Sequence, residues 1–555
     1  MWINMKKFSE VLSVNVEILK ISRVKSFSYF IVTLCIVFIA GSNFIYSFML
    51  QTGIDAVNEM DMKKFTIATI IFIVASMMYG VAYYYGEKNK EIVSQEIAIQ
   101  LKSMLLKKVN TIHFEKSSKY KKGDLFTLIH VDADNCARYV TDVIFPFIQV
   151  MLSLIIGIFY VAYFSWQMFL VAMLGIPFFL YINIVLMKKI RGSFTSVKVA
   201  EGDERDFFTD LHNSSSTMKI FSINYVMEIL FKRVYHNKTR SRVIHERNSS
   251  KVYAYTESGI LGIEFLVLLA GIPLVKIGQI TVGTLIGTWN ATIGTFIYPI
   301  TDMPDIISKM AEKHSSWDRI SSILNIPDEE NNVVVKKLSN PELVIEELNF
   351  KYNSGDKQIL TNVNFCIKKN QIAIIVGESG TGKSTLMKLI LSLFNVTSGK
   401  IFIRENKNII DKEIRKYISY IPQGNSLLNI SIRNNITMGK KYSDEEIRNA
   451  VKMAQIGGFI DRLPHKYDTV ISEDVEVSEG EAQRIAIARA LLRNSDFILM
   501  DEPFSALDEE NEKKIVNVIN NLKQSKGIII ITHRKTNKIN SDYIYELIGG
   551  ELNER

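Results

Sequence analysis

The stretch Ile372-Ala373-Ile374-Ile375-Val376-Gly377-Glu378-Ser379-Gly380-Thr381-Gly382-Lys383-Ser384-Thr385 decides half of the fold. A run of apolar, β-branched residues reads as a buried strand, and a helical pattern follows the lysine. Between them stands Gly-x4-Gly-Lys-Ser, the spacing of a phosphate-binding loop in the strand–loop–helix context it requires. The glycines let backbone N–H groups turn inward around phosphates, and the following helix N-terminus adds positive dipole. Lys383 neutralises β- and γ-phosphates, and the Ser384 hydroxyl reaches Mg²⁺.

Downstream, Phe497-Ile498-Leu499-Met500-Asp501-Glu502 is an apolar strand that ends in two carboxylates. Neighbouring strand side chains point oppositely, so the two acids have different work. Asp501 suits the Mg²⁺ shell, and Glu502 suits polarising a water that attacks the γ-phosphate. Short β-rich runs (Leu343 to Phe350, Phe497 to Met500, Gly527 to Thr532) alternate with helical stretches, as in a soluble α/β domain.

The first 300 residues have another character. Ser26 to Leu50, Phe65 to Gly86 and Ile280 to Thr301 carry no Asp, Glu, Lys or Arg, and Gly259 to Val275 carries only Glu264. Val143 to Met187 is also charge-free and long enough for two spans, with Ser165-Trp166 as a tight turn. A spanning helix needs about 20 apolar residues, so six spans are expected. The chain is 47% hydrophobic yet 22% charged, an average reached by segregating the two characters. That excludes a disordered chain, and 3 cysteines exclude a disulfide scaffold. Cys35, Cys136 and Cys366 are scattered without metal-ligand spacing.

Lys6, Lys7, Lys20, Arg23 and Lys25 precede the first span, and Lys188, Lys189 and Arg191 follow the fourth. The positive-inside rule therefore places the N-terminus in the cytoplasm. The first span is too long for a cleaved signal, and no leader-peptide protease is expected ahead of it. Outer connections are short, whereas Glu87 to Asp142 and Lys188 to Ser258 are long, charged and poor in Gly and Pro. They read as helices continuing beyond the bilayer, with turns at Lys121-Lys122-Gly123-Asp124 and Asn213-Ser214-Ser215-Ser216. The expected domains are 1–325 in the membrane, a linker at 326–341, and the ATPase at 342–555.

Taken together, the chain resembles the ATP-binding cassette transporters of the exporter-type half-transporter kind. Tyr352 matches the family's aromatic that stacks on adenine, and Gln423 in Ile421-Pro422-Gln423 the glutamine that links Mg²⁺ to the membrane domain. Ser505-Ala506-Leu507-Asp508 matches the loop that crosses between cassettes, and His533 the histidine that contacts the γ-phosphate. Gly278-Gln279-Ile280-Thr281-Val282-Gly283 resembles the family's approach to its sixth span. The family signature Leu-Ser-Gly-Gly-Gln is altered to Val477-Ser478-Glu479-Gly480-Glu481. Ser478 and Gly480, which would face the opposite cassette's γ-phosphate, remain. Ser478-x-x-Glu481 also reads as a helix capping box.

The resemblance implies a fold of an all-α six-helix membrane domain with helical extensions, followed by an α/β P-loop ATPase. It implies ATP and Mg²⁺ as ligands, the lipid bilayer as surroundings, and a second half-transporter as partner. ATP would lie on Tyr352, Gly377, Glu378, Ser379, Gly380, Thr381, Gly382, Lys383, Ser384 and Thr385, with Ser478 and Gly480 lent by the partner. Ser384, Gln423 and Asp501 would hold the metal; Glu502, His533 and Gln423 would serve hydrolysis. A homodimer is favoured because Ser478 and Gly480 survive; a heterodimer is the alternative. The expected function is ATP-driven export of an amphipathic peptide, lipid or drug. A sensor with slow hydrolysis and the catalytic half of a heterodimeric exporter stand as alternatives. Importers of the family usually divide these parts between chains.

Glu264 is costly inside a membrane. It is expected to face a cavity and recognise a cationic group, or else to make a polar contact between helices or lie near the interface. Asn183 and Asn290 are weaker candidates. A Lys-, Ile- and Asn-rich composition suggests an AT-rich bacterial genome.

Overall fold

The computed structural model describes residues 26–555 except 119, 121, 223, 330–337, 353–356, 407, 412–413, 425, 472–476, 505–508 and 534–538; the side chains of 26, 122, 175–191, 295–296, 299–300, 304 and 511 are also outside the description. The basic residues before the first span and after the fourth, most of the linker, Lys121, and Ser505 to Asp508 thus lie wholly or in part outside the described residues. The chain divides into two compact units: Met1–Asn110 with Lys122–Ile326, and Thr111–Lys121 with Pro327–Arg555.

The first unit is helical. Its long elements are α1 (Ser26–Asn58), α2 (Met62–Thr111), α3 (Phe145–Phe164), α4 (Trp166–Asn213), α5 (Asn224–Lys276), α6 (Val282–Ala291) and α7 (Tyr298–Leu324). At 1.5 Å per residue, the 50 residues of α2 reach about 75 Å, far beyond a hydrocarbon core of about 30 Å. The long charged segments are therefore helical extensions. Four helices are long and apolar enough to cross a membrane among the described residues. The fourth apolar run lies in α4, partly over the undescribed side chains, and the sixth is divided between α6 and α7 by the wide turn Thr292–Ile297. Ser165 alone separates α3 from α4: its backbone is extended, and its hydroxyl caps α4 by accepting from the Met168 N–H. The second extension breaks at Ser214, inside the expected turn; Ser215–Phe221 then forms a further short helix, and Ser222 takes the left-handed conformation.

A polar seam joins α1 to α6. Asn43, Ser47, Gln51 and Asp55 recur every four residues on α1, hence on one face. Asn43 donates to the Gly294 carbonyl at 3.2 Å, Ser47 to Asn290 at 3.0 Å and Gln51 to Thr284 at 3.1 Å. Asp55 accepts from the Gly283 N–H at 2.9 Å and the Thr281 hydroxyl at 2.8 Å. Gly283 is what allows this approach, because a Cβ there would lie 2.2 Å from the Gln51 carbonyl.

The second unit is built on two sheets. β1 (Glu342–Lys351), β2 (Gln358–Lys368), β4 (Ser398–Glu405) and β5 (Asn408–Ile410) form an antiparallel sheet ordered β2-β1-β4-β5. β3 (Ile372–Val376), β6 (Ile418–Ile421), β7 (Phe497–Asp501), β8 (Gly527–Thr532), β9 (Tyr543–Ile548) and β10 (Glu551–Glu554) form the second, ordered β10-β9-β3-β8-β7-β6. In that sheet β9, β3, β8, β7 and β6 run parallel. Every residue of β3 and β8 is buried, which explains their unbroken apolar runs. Thr111–Lys121, at the inner end of α2, belongs to this unit although the sequence placed it within 1–325. Ile112 bridges to Asp328, and the Phe114 ring meets Phe394 edge-on at 5.9 Å.

Candidate functional site

Ligands of open parallel sheets bind beyond the carboxyl ends of the strands. Here four adjacent strands each deliver a candidate at that edge. β3 runs into Gly377, β8 into His533, β7 into Asp501 and Glu502, and β6 reaches Gln423 two residues past its end. The register aligns them: Val376 pairs with Thr532, Asp501 with Ile531, and Ile421 with Met500. At about 4.8 Å per strand, the phosphate loop and the β7 carboxylates stand about 10 Å apart.

The loop is built for close backbone approach. Gly380 and Gly382 have φ of 86° and 106°, and a Cβ on Gly377 would lie 2.8 Å from the Leu547 carbonyl. The Lys383 ammonium donates to the carbonyls of Gly377 at 2.6 Å and Glu378 at 2.7 Å, wrapping the loop around its own cation. Lys383 and Ser384 then begin the helix α8 (Lys383–Ile390). Tyr352 is fixed at both ends. Its hydroxyl hydrogen-bonds Thr385 at 2.9 Å, and its ring meets Phe350 and Phe394 edge-on at 5.0 and 5.5 Å.

Glu502 is buried, and its backbone is left-handed at φ 48°. Such a conformation persists only where its surroundings enforce it. The enforcement is visible. Oε1 accepts from the His533 backbone N–H at 2.9 Å and lies 2.7 Å from His533 Nδ1. Thr532 donates to Oε2 at 3.3 Å, and the buried Gln483 amide donates to the Glu502 carbonyl at 3.1 Å. Asp501 differs: burial, and then the negative Glu502 beside it, push its carboxyl above the usual carboxylate range. Thr532 and Gln483 were not singled out from sequence; the only signal for Gln483 was a glutamine among alanines and isoleucines on a helix that is otherwise core.

The altered signature opens the helix α9 (Glu479–Arg493). Ser478 and Glu481 form the capping box: the Ser478 N–H and hydroxyl donate to Glu481 Oε2 at 3.0 and 2.8 Å, and the Glu481 N–H donates back at 3.3 Å. Glu479 is exposed. Among the described residues no hydrogen bond joins Ser478, Gly480 or Gln423 to the phosphate loop.

In the membrane unit, Glu264 is half-buried and lines none of the described cavities. Asn290 does line a cavity, although its amide oxygen is taken by Ser47. The side chain of Asn183 lies outside the described residues. No cluster of His, Cys, Asp or Glu able to hold a metal by itself occurs among the described residues.

Comparison with known proteins adds three findings. Residues 29–299 match the family described as the ABC transporter transmembrane region, and residues 360–505 match the ABC transporter family. An ATP-dependent lipid A-core flippase of Syntrophus aciditrophicus is 26% identical over 97% of this chain and 90% of its own. A probable ABC transporter ATP-binding/permease protein of Haemophilus influenzae is 28% identical over 86% of this chain and 88% of its own. A solved bacterial Atm1-family ABC exporter with ATP bound shares the fold, with a TM-score of 0.78 and 20% identity over 96% of this chain and 95% of that one.

Proposed function

The chain belongs to the ABC transporters, with membrane and ATPase domains fused as in the exporters, and on that footing we propose that it exports an amphipathic substrate by pairing with a second copy of itself. ATP hydrolysis coupled to export across a membrane is its activity, and it is a multi-pass membrane protein that binds ATP. The observation that carries the finer reading is the Glu502–His533 pair at the carboxyl edge of the sheet, beside a complete phosphate loop.

Each side chain has one task there. Tyr352 offers its ring to adenine, and residues 377–385 surround the phosphates with N–H groups and the Lys383 ammonium. Glu502 takes the proton of the attacking water. His533 holds Glu502 through Nδ1 and leaves Nε2 for the γ-phosphate. Ser384, Gln423 and Asp501 supply a hydroxyl, an amide oxygen and a carboxylate, hard donors that fit Mg²⁺. When bound, that ion neutralises charge on the β- and γ-phosphates. Ser478 and Gly480 face the partner's ATP, so that two chains enclose two nucleotides. Closure of the sandwich swings the membrane helices outward, and hydrolysis resets them. The N-terminus and the ATPase domain are cytoplasmic, in a bacterial cell membrane.

The test is vanadate-sensitive ATPase of the purified chain together with substrate uptake into inside-out vesicles. ATP binding without either turnover or uptake, and with no turnover restored by a partner that carries an unaltered signature, would sink the exporter reading in favour of a sensor. A second reading, the catalytic half of a heterodimer, draws on the Glu481 carboxylate that occupies Ser478. It predicts that the chain alone is nearly inactive and that a partner with an unaltered signature restores turnover.

A further inference from the structure

A cavity of about 540 Å³ opens among α1, α2, α3 and the α6–α7 junction. Its wall carries the aromatic rings of Tyr46, Phe72 and Tyr298, with Tyr46 and Phe72 only 5.2 Å apart. Amides and a hydroxyl complete it, and Asp302 is its single charged side chain. Tyr298 and Asp302 are one turn apart on α7 and so share a face. The wide turn Thr292–Ile297 ends directly before them, closed by the Tyr298 N–H on the Ile293 carbonyl. Such i to i+5 turns recur where a helix must aim side chains at a ligand.

A second cavity, of about 370 Å³, shares Gln149, Val150 and Asp302 with the first, so the two meet at Asp302. It is rich in charge, but its other acids are matched. Glu87 pairs with Lys90 at 2.7 Å, Glu91 with Arg138 at 3.5 Å, Asp142 with Lys313 at 3.3 Å, and Asp305 with Lys309 at 2.8 Å. Lys309, the cation nearest in sequence to Asp302, is thus already engaged. Asp302 itself forms no hydrogen bond or ion pair among the described residues.

A carboxylate with no hydrogen bond or ion pair among the described residues, beside three aromatic faces, suits one chemistry. We propose that this cavity binds an amphipathic cation, its charged head at Asp302 and its apolar body against Tyr46, Phe72 and Tyr298. An anionic headgroup there would meet a negative charge with no free base to offset it. The inference rests on the exporter reading, since it names the class of substrate that the exporter moves.

The experiment uses the full chain in nanodiscs without nucleotide, with tetraphenylphosphonium and tetraphenylborate as probes of like shape and opposite charge. Binding is corrected for partition into empty nanodiscs. Tetraphenylphosphonium should bind saturably, at least about tenfold more weakly to Asp302→Asn, with affinity restored in Asp302→Glu. Tyr298→Leu should weaken it several-fold and does not depend on how the Asp302 variants fold. Tetraphenylborate should show no saturable site. Unchanged tetraphenylphosphonium affinity in both Asp302→Asn and Tyr298→Leu, or saturable tetraphenylborate binding of equal strength, overturns the proposal. Because no nucleotide is present, a negative result here leaves the ATPase assignment standing, and absent ATPase leaves this binding test intact.

Discussion

Glu502 and Glu481 are both carboxylates tied down by hydrogen bonds in one ATPase domain, yet they are tied in opposite ways. Glu502 is held from a neighbouring strand by His533 and Thr532, and its own backbone is braced from a helix by Gln483. Glu481 is held by Ser478, three residues before it, and touches Arg462 only at 3.8 Å. The first carboxylate is placed by the whole sheet and can be aimed at a substrate. The second is placed by its own helix turn and serves the helix first. Tertiary constraint marks the group proposed to do chemistry; local constraint marks the group that shapes a surface.

The sharpest way to break that contrast is Glu502→Gln. General-base catalysis contributes roughly 10²–10⁴-fold, so phosphate release should fall by at least about a hundredfold while ATP stays bound. Near-normal phosphate release would show that the buried carboxylate is not the base. His533→Ala should come next, a loss of about ten- to a hundredfold in turnover with ATP affinity little changed. If His533→Ala turned over like wild type, the 2.7 Å pair would be only structural.

On the other side of the comparison the effects are smaller and of opposite sign. Glu481→Gln keeps the cap and removes the charge; Glu479→Gly removes an exposed charge from the same helix start. Each should raise ATPase of the chain alone by roughly two- to fivefold, a modest gain because solvent screens the exposed Glu479 and the Ser478 cap holds the half-buried Glu481. The gain should shrink in high salt, and a gain that ignores salt would refute the electrostatic cause. Ser478→Ala, by contrast, should cost about 1 kcal/mol of stability through loss of the cap, read as a lowered Tm.

The smallest effect concerns Asp501. Burial raises its folded-state pKa, so its contribution to stability is complete below the unfolded value and is lost as pH rises through the folded one. Asp501→Asn should therefore raise the Tm of nucleotide-free protein at neutral pH by roughly 1–3 °C, a modest gain because water still screens the site. The gap between variant and wild type should close in acid. A gap that widens in acid would reverse the sign of the burial argument.

The nucleotide half of the molecule was legible because its chemistry sits on strand ends, where a motif read in one dimension is also a position in space. Gly377 to Thr385, Asp501, Glu502 and His533 needed only the parallel order of β3, β8 and β7 to line one edge. The membrane half was legible as spans but not as faces. Asn43, Ser47 and Gln51 were overlooked because uncharged polar residues do not interrupt an apolar run, and their four-residue spacing with Asp55 gains meaning only against α6. Glu264 drew attention as the lone charge within a span, whereas Asp302, one residue past the last apolar run, is the carboxylate that lines the cavity. Hydropathy along a helix reports depth, and the facing of a side chain depends on neighbours that the pattern does not encode. The brace of Glu502 by Gln483 was hidden for the same reason: 19 residues separate them, and only the fold brings them to 3.1 Å.

Thr111–Lys121 remains with the second unit, where Glu115 accepts from the backbone and side chain of Asn395, each at 3.3 Å. An ATPase domain excised at residue 342 would be an amputated body, missing a peptide encoded some way upstream. Chimaeras that exchange ATPase domains between relatives must carry this peptide along, or graft a foreign socket onto a native plug. The gene's natural seam for recombination is therefore not a single point but two cuts flanking a short insert and a third before the sheet.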